Sequence, residues 1–200
     1  METDGDVLVF DLETKRTFDE VGGNNYGLLG VSVLGYYSYQ RDRYECLLES
    51  ELNQFENAII DAQLIIGYNS NKFDLPVLQP YLSLDVSKLP SLDLLEEINK
   101  VLGFRVGLDS VAQATLGVGK TGHGLDAIQY YRQGELEKLK AYCLNDVKVT
   151  KLVYDYGVKH GEVAYLGRDK VTRKLVETSW KNFQSKDQAE EKMQQYRLLF

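Results

Sequence analysis

The chain has 200 residues, of which 44% are hydrophobic, enough for the core of one globular domain with room for a small appendage. The net charge of -7 and the pI near 5.0 exclude a protein that coats nucleic acid through charge alone. The two cysteines, Cys46 and Cys143, have neither a metal-binding nor a disulfide spacing. No basic leader and no apolar run of membrane-spanning length occur. We therefore expect a reduced, cytoplasmic setting and no membrane contact.

The first apolar segment carries two acids at its end. Residues 7–14 read V-L-V-F-D-L-E-T, a pattern typical of a strand that is covered on both faces. Successive side chains of a strand point to opposite faces, so Asp11 and Glu13 share one face with Val7 and Val9. Like charges are costly to bury together unless a cation lies between them. The alternative is that the strand ends early and both acids are ordinary loop residues.

The order of elements predicts an α/β fold with a mixed central sheet. A Gly/Asn turn and two segments rich in Val, Leu and Tyr follow the first strand, and then apolar residues recur at helical spacing before another short apolar strand. This is a β-β-β-α-β order, in which the fourth strand is expected to lie beside the first. The predicted strands are 7–14, 26–39, 43–48 and 64–67, and the crossover helix covers 52–62.

Two later segments also place acids where a function is expected. Polar residues from 68 onward lead into a short helix near Asp74, a strand-to-helix junction of the kind where α/β sheets hold their sites. An N-terminal cap is the other interpretation of Asp74. The longest predicted helix covers 135–156, between two glycines, and Tyr142 and Asp146 are one turn apart on its apolar face. A merely solvated acid would not lie on that face.

The segment from 89 to 133 has a helical pattern interrupted by glycines, and it contains a relaxed match to a phosphate-binding loop. Residues 114–121 read A-T-L-G-V-G-K-T. Such a loop follows a strand and opens a helix, whereas residues 108–116 have a helical pattern and a G-H-G sequence breaks the chain directly afterwards. We therefore reject an NTPase. Lys120 and His123 are left as solvated loop residues or contacts to a phosphate backbone.

The C-terminal forty residues have a different character. Residues 162–177 predict a hairpin that turns at 167–169, and residues 185–200 predict a helix. Between 159 and 174 there are five basic and two acidic residues, a local net charge of 5 - 2 = +3. The hairpin is either an ordinary solvated hairpin or a ribbon that faces phosphates. We expect one domain over 1–160 and an appendage over 161–200 that packs on it and is the candidate site for a protein partner.

Asp11, Glu13, Asp74 and Asp146, together with Tyr142, predict a metal site. Oxygen ligands without a nearby His or Cys cluster are typical of Mg²⁺ or Mn²⁺. Four carboxylates suit two divalent ions about 3.5–4 Å apart, the arrangement that supports phosphodiester displacement. The two ions would offset the repulsion between the acids.

Three segments carry a family resemblance. F-D-L-E-T (10–14), Y-N-S-N-K-F-D (68–74) and Y-C-L-N-D (142–146) resemble, in order and spacing, the three motifs of the DEDD exonuclease superfamily, which has a ribonuclease H-like fold. The third motif is Tyr-x-x-x-Asp without a histidine, as in the tyrosine subtype. The second motif is similar to that of the proofreading domain of B-family DNA polymerases, and the segment 142–161, which begins with the third motif, resembles bacterial stand-alone YprB-type domains. The resemblance covers residues 6–160.

The resemblance implies a role for each matching residue. Asp11 would bridge both metals, Glu13 and Asp146 would complete the site of the attacking water, and Asp74 would hold the second metal, largely through water. Tyr142 would position the attacking water through its hydroxyl. The residues implied in contacts with the substrate are Leu12, Thr14, Asn69 and Phe73. Leu12 and Phe73 could equally be core residues, and Asn69 could instead order its turn.

The implied activity is hydrolysis of the terminal phosphodiester bond at the 3′ end of single-stranded nucleic acid, because a terminal nucleotide must leave the stack to enter such a site. DNA is slightly favoured over RNA. A structure-directed ribonuclease or endonuclease on the same fold is an alternative, since fold and metals do not decide where cutting occurs. A module that binds nucleic acid without cutting it is the non-enzymatic alternative.

Overall fold

A mixed five-stranded sheet forms the centre of the computed structural model, which describes residues 5–118 and 124–181. The strand order is β3-β2-β1-β4-β5, with β1 antiparallel to β2 and parallel to β4. The predicted α/β class, the β-β-β-α-β order and the position of the fourth strand beside the first are therefore confirmed. The strands are β1 (Asp6–Thr14), β2 (Val31–Ser38), β3 (Arg43–Leu48), β4 (Ala62–Gly67) and β5 (Ser91–Asp93).

Helices cover both faces of the sheet, so β1 is buried on both sides. Leu8 and Phe10 of β1 pack on one face with Phe55 of α2, whereas Val9 packs on the other face with Val147 of α7. The helices are α1 (Tyr26–Leu29), α2 (Leu52–Ile60), α3 (Asp74–Leu78), α4 (Leu94–Leu102), α5 (Leu108–Leu116), α6 (Gly124–Arg132) and α7 (Leu136–His160). Short 3₁₀ turns lie at Glu49–Glu51, Gln79–Tyr81 and Val86–Lys88.

The prediction of a strand from Tyr26 was wrong for its first residues. Tyr26–Leu29 form the single helical turn α1, and Gly30, at a positive φ of 70°, ends it before β2 begins. Leu29 is buried in the core, so tertiary burial rather than strand pairing explains its apolar character. The short strand β5 was also missed, because three residues that lead directly into α4 carry too little periodicity to be distinguished from a helix.

Helix α7 is longer than predicted, because Gly157 does not end it. The helix continues to His160, and Gly161, at a φ of 73°, is its left-handed C-terminal residue. A Cβ atom at position 157 would lie 2.3 Å from two ring carbons of Trp180. Gly157 is therefore required for close packing against a buried indole ring.

The predicted hairpin is confirmed as a separate two-stranded sheet, β6 (Glu162–Leu166) and β7 (Arg173–Glu177). It lies against α5, where the Thr115 hydroxyl donates to the carbonyl of Ala164 at 3.0 Å and accepts from its amide at 2.9 Å. The Arg173 guanidinium donates to the Ala114 carbonyl at 2.8 Å. The hairpin is thus held on the domain at several points.

Some predictions fall outside the described residues, namely the helix at 185–200, Lys120, His123 and the end of the phosphate-loop match. The part of that match inside the described residues continues the end of α5 and follows no strand. Within 5–118 and 124–181, no helix is long and apolar enough to cross a membrane.

Candidate active site and metal centre

Three carboxylates converge where β1 meets α7. Asp11, Glu13 and Asp146 each offer an oxygen atom, and these atoms lie within 4.8 Å of one another. Glu13 and Asp146 are buried, and Asp11 is half-buried. Asp11 and Glu13 share one face of β1, as the sequence predicted from the alternation of side chains along a strand, and the structure shows that this face meets α7. Asp146 lies on the inward face of α7, as predicted from helical spacing.

A glycine in the neighbouring strand allows α7 to approach the sheet closely. Gly35 of β2 pairs with Asp11 on one side and with Cys46 on the other. A Cβ atom at Gly35 would lie 3.1 Å from the Cys143 sulfur, so α7 packs directly over the bare backbone. The Cys143 thiol donates to the Asp11 carbonyl at 3.5 Å. This contact fixes the height of α7, and hence of Tyr142 and Asp146, above β1.

Asp74 comes from a third element, α3, and lines the same cavity as the three clustered carboxylates. It is the first residue of α3, just beyond the end of β4, and it is buried. Its Oδ1 accepts a hydrogen bond of 3.2 Å from the amide of Leu12. The main chain of β1 between Asp11 and Glu13 is thus tied to Asp74. Asp74 lines the cavity described below but is not part of the close group of three oxygens.

Asp93, a buried acid that sequence reasoning missed, holds the loop before Asp74 in place. Its carboxylate accepts from the amides of Asn69 at 2.8 Å and Asn71 at 3.1 Å. It also caps α4 by accepting from the Leu95 amide at 3.0 Å. Burial raises the pKa of the Asp93 carboxyl. The D-L-L-E sequence at 93–96, an acid three residues before a glutamate at the start of a helix, was the available signal.

One cavity of about 430 Å³ at the end of β1 contains the whole predicted site. Both the residues expected to hold metal and those expected to contact the substrate line it, and Asn69 has a left-handed φ of 68°. The Thr14 hydroxyl donates to the Arg16 carbonyl at 3.0 Å. The predicted residues that the structure brings together are Asp11, Leu12, Glu13, Thr14, Asn69, Phe73, Asp74, Tyr142 and Asp146.

Sequence reasoning missed several further residues of the cavity wall. The most informative is Phe18, whose ring meets that of Phe73 edge-on at 5.9 Å and that of Tyr26 at 5.3 Å. Phe18 lies in an irregular loop, and a lone aromatic residue in a loop has no sequence signal of a site. The other additional residues are Arg16, Thr17, Leu29, Tyr68, Leu125 and Ile128.

The Tyr142 hydroxyl stays protonated in this setting. Burial raises the pKa of Tyr142 far above its ordinary value, and the carboxylates of Asp146, Glu13 and Asp11 raise it further. A phenol with a raised pKa is a neutral hydrogen-bond donor at physiological pH. Tyr142 can therefore donate to a water or to a phosphate oxygen in the cavity.

The donor set fits a hard divalent cation. The clustered groups offer only carboxylate oxygens, and they come from two rigid elements, a central strand and a long helix. Such oxygens are the preferred ligands of Mg²⁺ and Mn²⁺. A cation bound there would also offset the repulsion between Asp11, Glu13 and Asp146, which favours its binding. This acidic cluster is the candidate metal centre.

The fold is a mixed sheet in the order β3-β2-β1-β4-β5, and an acidic cluster lies at the end of its central strand. A family model described as the RNase_H superfamily matches residues 8–158. The chain therefore belongs to the RNase_H superfamily.

Two solved structures illustrate the likeness in fold. A crystal structure of Trypanosoma brucei RNase D is 16% identical, with a TM-score of 0.51, over 75% of this chain and 56% of that one. The complex of the same RNase D with RNA U12 is 15% identical, with a TM-score of 0.53, over 75% and 54%. The likeness thus spans about half the length of the RNase D chains. No curated protein sequence matches the chain significantly.

Proposed function

We propose that this protein is a divalent-metal-dependent 3′–5′ exonuclease of the DEDD type, tyrosine subtype, that hydrolyses terminal phosphodiester bonds of single-stranded nucleic acid. The observation that carries the proposal is the convergence of Asp11, Glu13 and Asp146 within 4.8 Å. They share one cavity with Asp74 and Tyr142. Membership of the RNase_H superfamily and the likeness in fold to RNase D support it.

Asp11, Glu13 and Asp146 would hold one Mg²⁺ or Mn²⁺, and Asp74 with Asp11 would take part in holding a second. When bound, such ions activate a water molecule and neutralise the charge that develops on the phosphate. The protein's own residues do the positioning. β1 and α7 hold the carboxylates on packed secondary structure, which keeps a binding geometry at low entropic cost.

Tyr142 would orient the attacking water, because its neutral hydroxyl lies in the same cavity as the carboxylates. Phe18 and Phe73 form an aromatic wall on which a terminal base can stack, an interaction worth about 1–3 kcal/mol for each base. Leu12, Thr14 and Asn69 would complete the substrate contacts. The volume of about 430 Å³ falls within the range for pockets that take a single small ligand, and one terminal nucleotide is such a ligand.

End-labelled single strands test the proposal directly. With Mg²⁺ or Mn²⁺, a strand labelled at its 5′ end should yield a ladder of single-nucleotide steps, and circular strands should resist. DNA strands are slightly favoured as the substrate. RNA strands are assayed in parallel, because the RNase D complex contains RNA. Asp11→Ala should abolish the ladder. Cleavage of circles would support an endonuclease instead, and undiminished activity of the Asp11 variant would exclude the proposed site.

A further inference from the structure

A second, larger groove lies between the β6–β7 hairpin and the segment that precedes α5. Its volume is about 1200 Å³. One wall is formed by residues 104–110 and the other by the hairpin and its turn. The aromatic and basic side chains that line it are Phe104, Arg105, Tyr165, Arg168, Lys170 and Lys174.

This groove is basic, although the whole chain is acidic. Four cations line it against two acids, Asp109 and Asp169, a local net charge of 4 - 2 = +2, compared with -7 for the chain. Arg168, Lys170 and Lys174 are exposed, and within 5–118 and 124–181 they form no salt bridge. Most other lysines and arginines of that part of the chain do pair with an acid. Concentrated cations without acidic partners are the electrostatic footprint of a phosphate-binding surface.

Hydrogen bonds fix the backbone of the hairpin turn that carries Arg168 and Lys170. The carboxylate of Asp169 accepts from the Thr172 hydroxyl and from the amides of Thr172 at 2.9 Å and Val171 at 3.0 Å, and these bonds lower its pKa to about 2. The hairpin is fastened to α5 through Ser110, whose hydroxyl accepts from the Leu166 amide at 3.0 Å. Because these bonds already fix the backbone, a ligand that binds the cations does not also have to order the turn.

Two hydrogen bonds join this groove to the catalytic cavity. The Arg105 guanidinium, in the groove, donates to the Asn69 side-chain oxygen in the cavity wall at 2.5 Å. The Tyr68 hydroxyl, in the cavity wall, donates to the Val106 carbonyl at 2.6 Å. One layer of side chains therefore separates the two sites. A chain that leaves the cavity on this side passes over Arg105 into the groove.

The groove also contains an exposed aromatic surface. Phe104 is 50% exposed, and its ring meets that of Tyr165 edge-on at 5.9 Å. Aromatic rings beside cations are the combination that binds single strands, because bases stack while phosphates pair with charge.

We propose that the groove lined by Arg105, Arg168, Lys170 and Lys174 binds the phosphate backbone of the single strand whose 3′ end occupies the catalytic cavity. The inference rests on the proposed function for the direction of the strand. It assigns to the hairpin the task of holding the nucleotides upstream of the scissile bond. It predicts that strands long enough to reach the groove bind more tightly than short ones.

The test compares strand binding of wild-type protein with that of the variant Arg168→Ser/Lys170→Ser/Lys174→Ser. Fluorescence anisotropy is measured with labelled single strands of about 4 and about 20 nucleotides, in EDTA so that metal-dependent hydrolysis does not intervene. For the long strand we expect at least a tenfold loss of affinity, and the slope of log affinity against log salt should fall by about 2, since each phosphate contact to a single strand contributes about 0.7. For the short strand we expect little change.

Two control variants separate specific contacts from net charge and from misfolding. Arg43→Ser/Lys88→Ser/Lys138→Ser changes the net charge equally at exposed positions outside both cavities and should bind as wild type does. Arg168→Lys/Lys170→Arg/Lys174→Arg keeps the charges and should retain long-strand binding. Equal losses for both strand lengths, or equal losses in the two serine variants, would overturn the proposal.

The outcome is independent of whether the protein is an exonuclease. If wild-type protein with Mg²⁺ or Mn²⁺ does not shorten strands while its long-strand binding depends on the groove, the proposed function is wrong, and the groove stands as a strand-binding surface without the assigned direction of the strand. If wild-type protein produces the 3′ ladder while the groove variant binds long strands as wild type does, the proposal that the groove binds the strand is wrong and the proposed function stands.

Discussion

The amide of Leu12 donates a hydrogen bond of 3.2 Å to the carboxylate of Asp74, across a sequence separation of 62 residues. It joins the main chain between the two acids of β1 to the first residue of α3. Asp74 therefore has a structural role in addition to its proposed role in holding metal, and the two roles can be separated by substitution.

Asp74→Asn keeps an oxygen acceptor for the Leu12 amide but removes the charge. We expect a loss of activity of at least about 100-fold and a change in unfolding free energy of about 1 kcal/mol or less. Asp74→Ala also leaves the buried amide without its acceptor, which should cost a further 1–3 kcal/mol or so. Urea denaturation and exonuclease assays of both variants measure the two effects. Equal stabilities of the two variants would contradict the structural role.

Divalent metal should stabilise the protein through the acidic cluster. A ligand that binds only the folded state at about 100 times its dissociation constant adds about 2.7 kcal/mol. For a chain of this size, each kcal/mol raises Tm by about 2–4 °C. Thermal denaturation with Mg²⁺ or Mn²⁺ should show this rise, and EDTA should reverse it. Asp146→Asn should abolish the rise, whereas Glu177→Gln, at an exposed position in β7, should retain it. A full rise in the Asp146 variant would remove the cluster as the metal site.

Tyr142→Phe removes the only polar group of a buried side chain and leaves its ring in place. We expect the turnover rate to fall by about 10- to 100-fold, less than in Asp11→Ala, because only the orientation of the attacking water is lost. The metal-induced rise in Tm should remain. Tyr156→Phe, on the same helix but outside the cavity, is the matched control. Equal rates in the two variants would exclude a role for the Tyr142 hydroxyl.

Gly157→Ala should destabilise the protein although it lies inside a helix. Alanine in a helix interior is favoured over glycine by about 1 kcal/mol. Here the new methyl group would lie 2.3 Å from the buried Trp180 ring, and overpacking costs about 1–3 kcal/mol. We expect the clash to exceed the gain, so that the midpoint of urea denaturation falls.

A double-mutant cycle with Trp180→Leu isolates that clash. The cost of Gly157→Ala should become smaller in the Trp180→Leu background, because the ring that it meets is gone. Gly107→Ala, where a Cβ atom would meet nothing within 4 Å, should change stability by less than about 1 kcal/mol. A stabilising Gly157→Ala would show that the ring gives way.

Local periodicity predicted the parts of the fold in which one pattern dominates. The alternation along β1 placed Asp11 and Glu13 on one face, and the helical spacing of α7 placed Tyr142 and Asp146 on the inward face. Both follow from backbone geometry alone, which is why the structure agrees. The three-residue strand β5 and the turn α1 are too short for a period to show, so pattern could not separate them from their neighbours.

The sequence by itself determined which residues have the chemistry for a metal site, since the acids and their order along the chain can be read directly. Only the tertiary structure decided how they are used. Asp74 and Asp93 both begin or cap a helix after a strand, yet Asp74 faces the cavity whereas Asp93 accepts hydrogen bonds from the loop beside it. Gly157 is a packing position because a residue 23 positions later lies over it. Contacts between distant segments leave no local pattern, and these contacts place α7 and the loop at 68–73 around the end of β1 and the hairpin against α5.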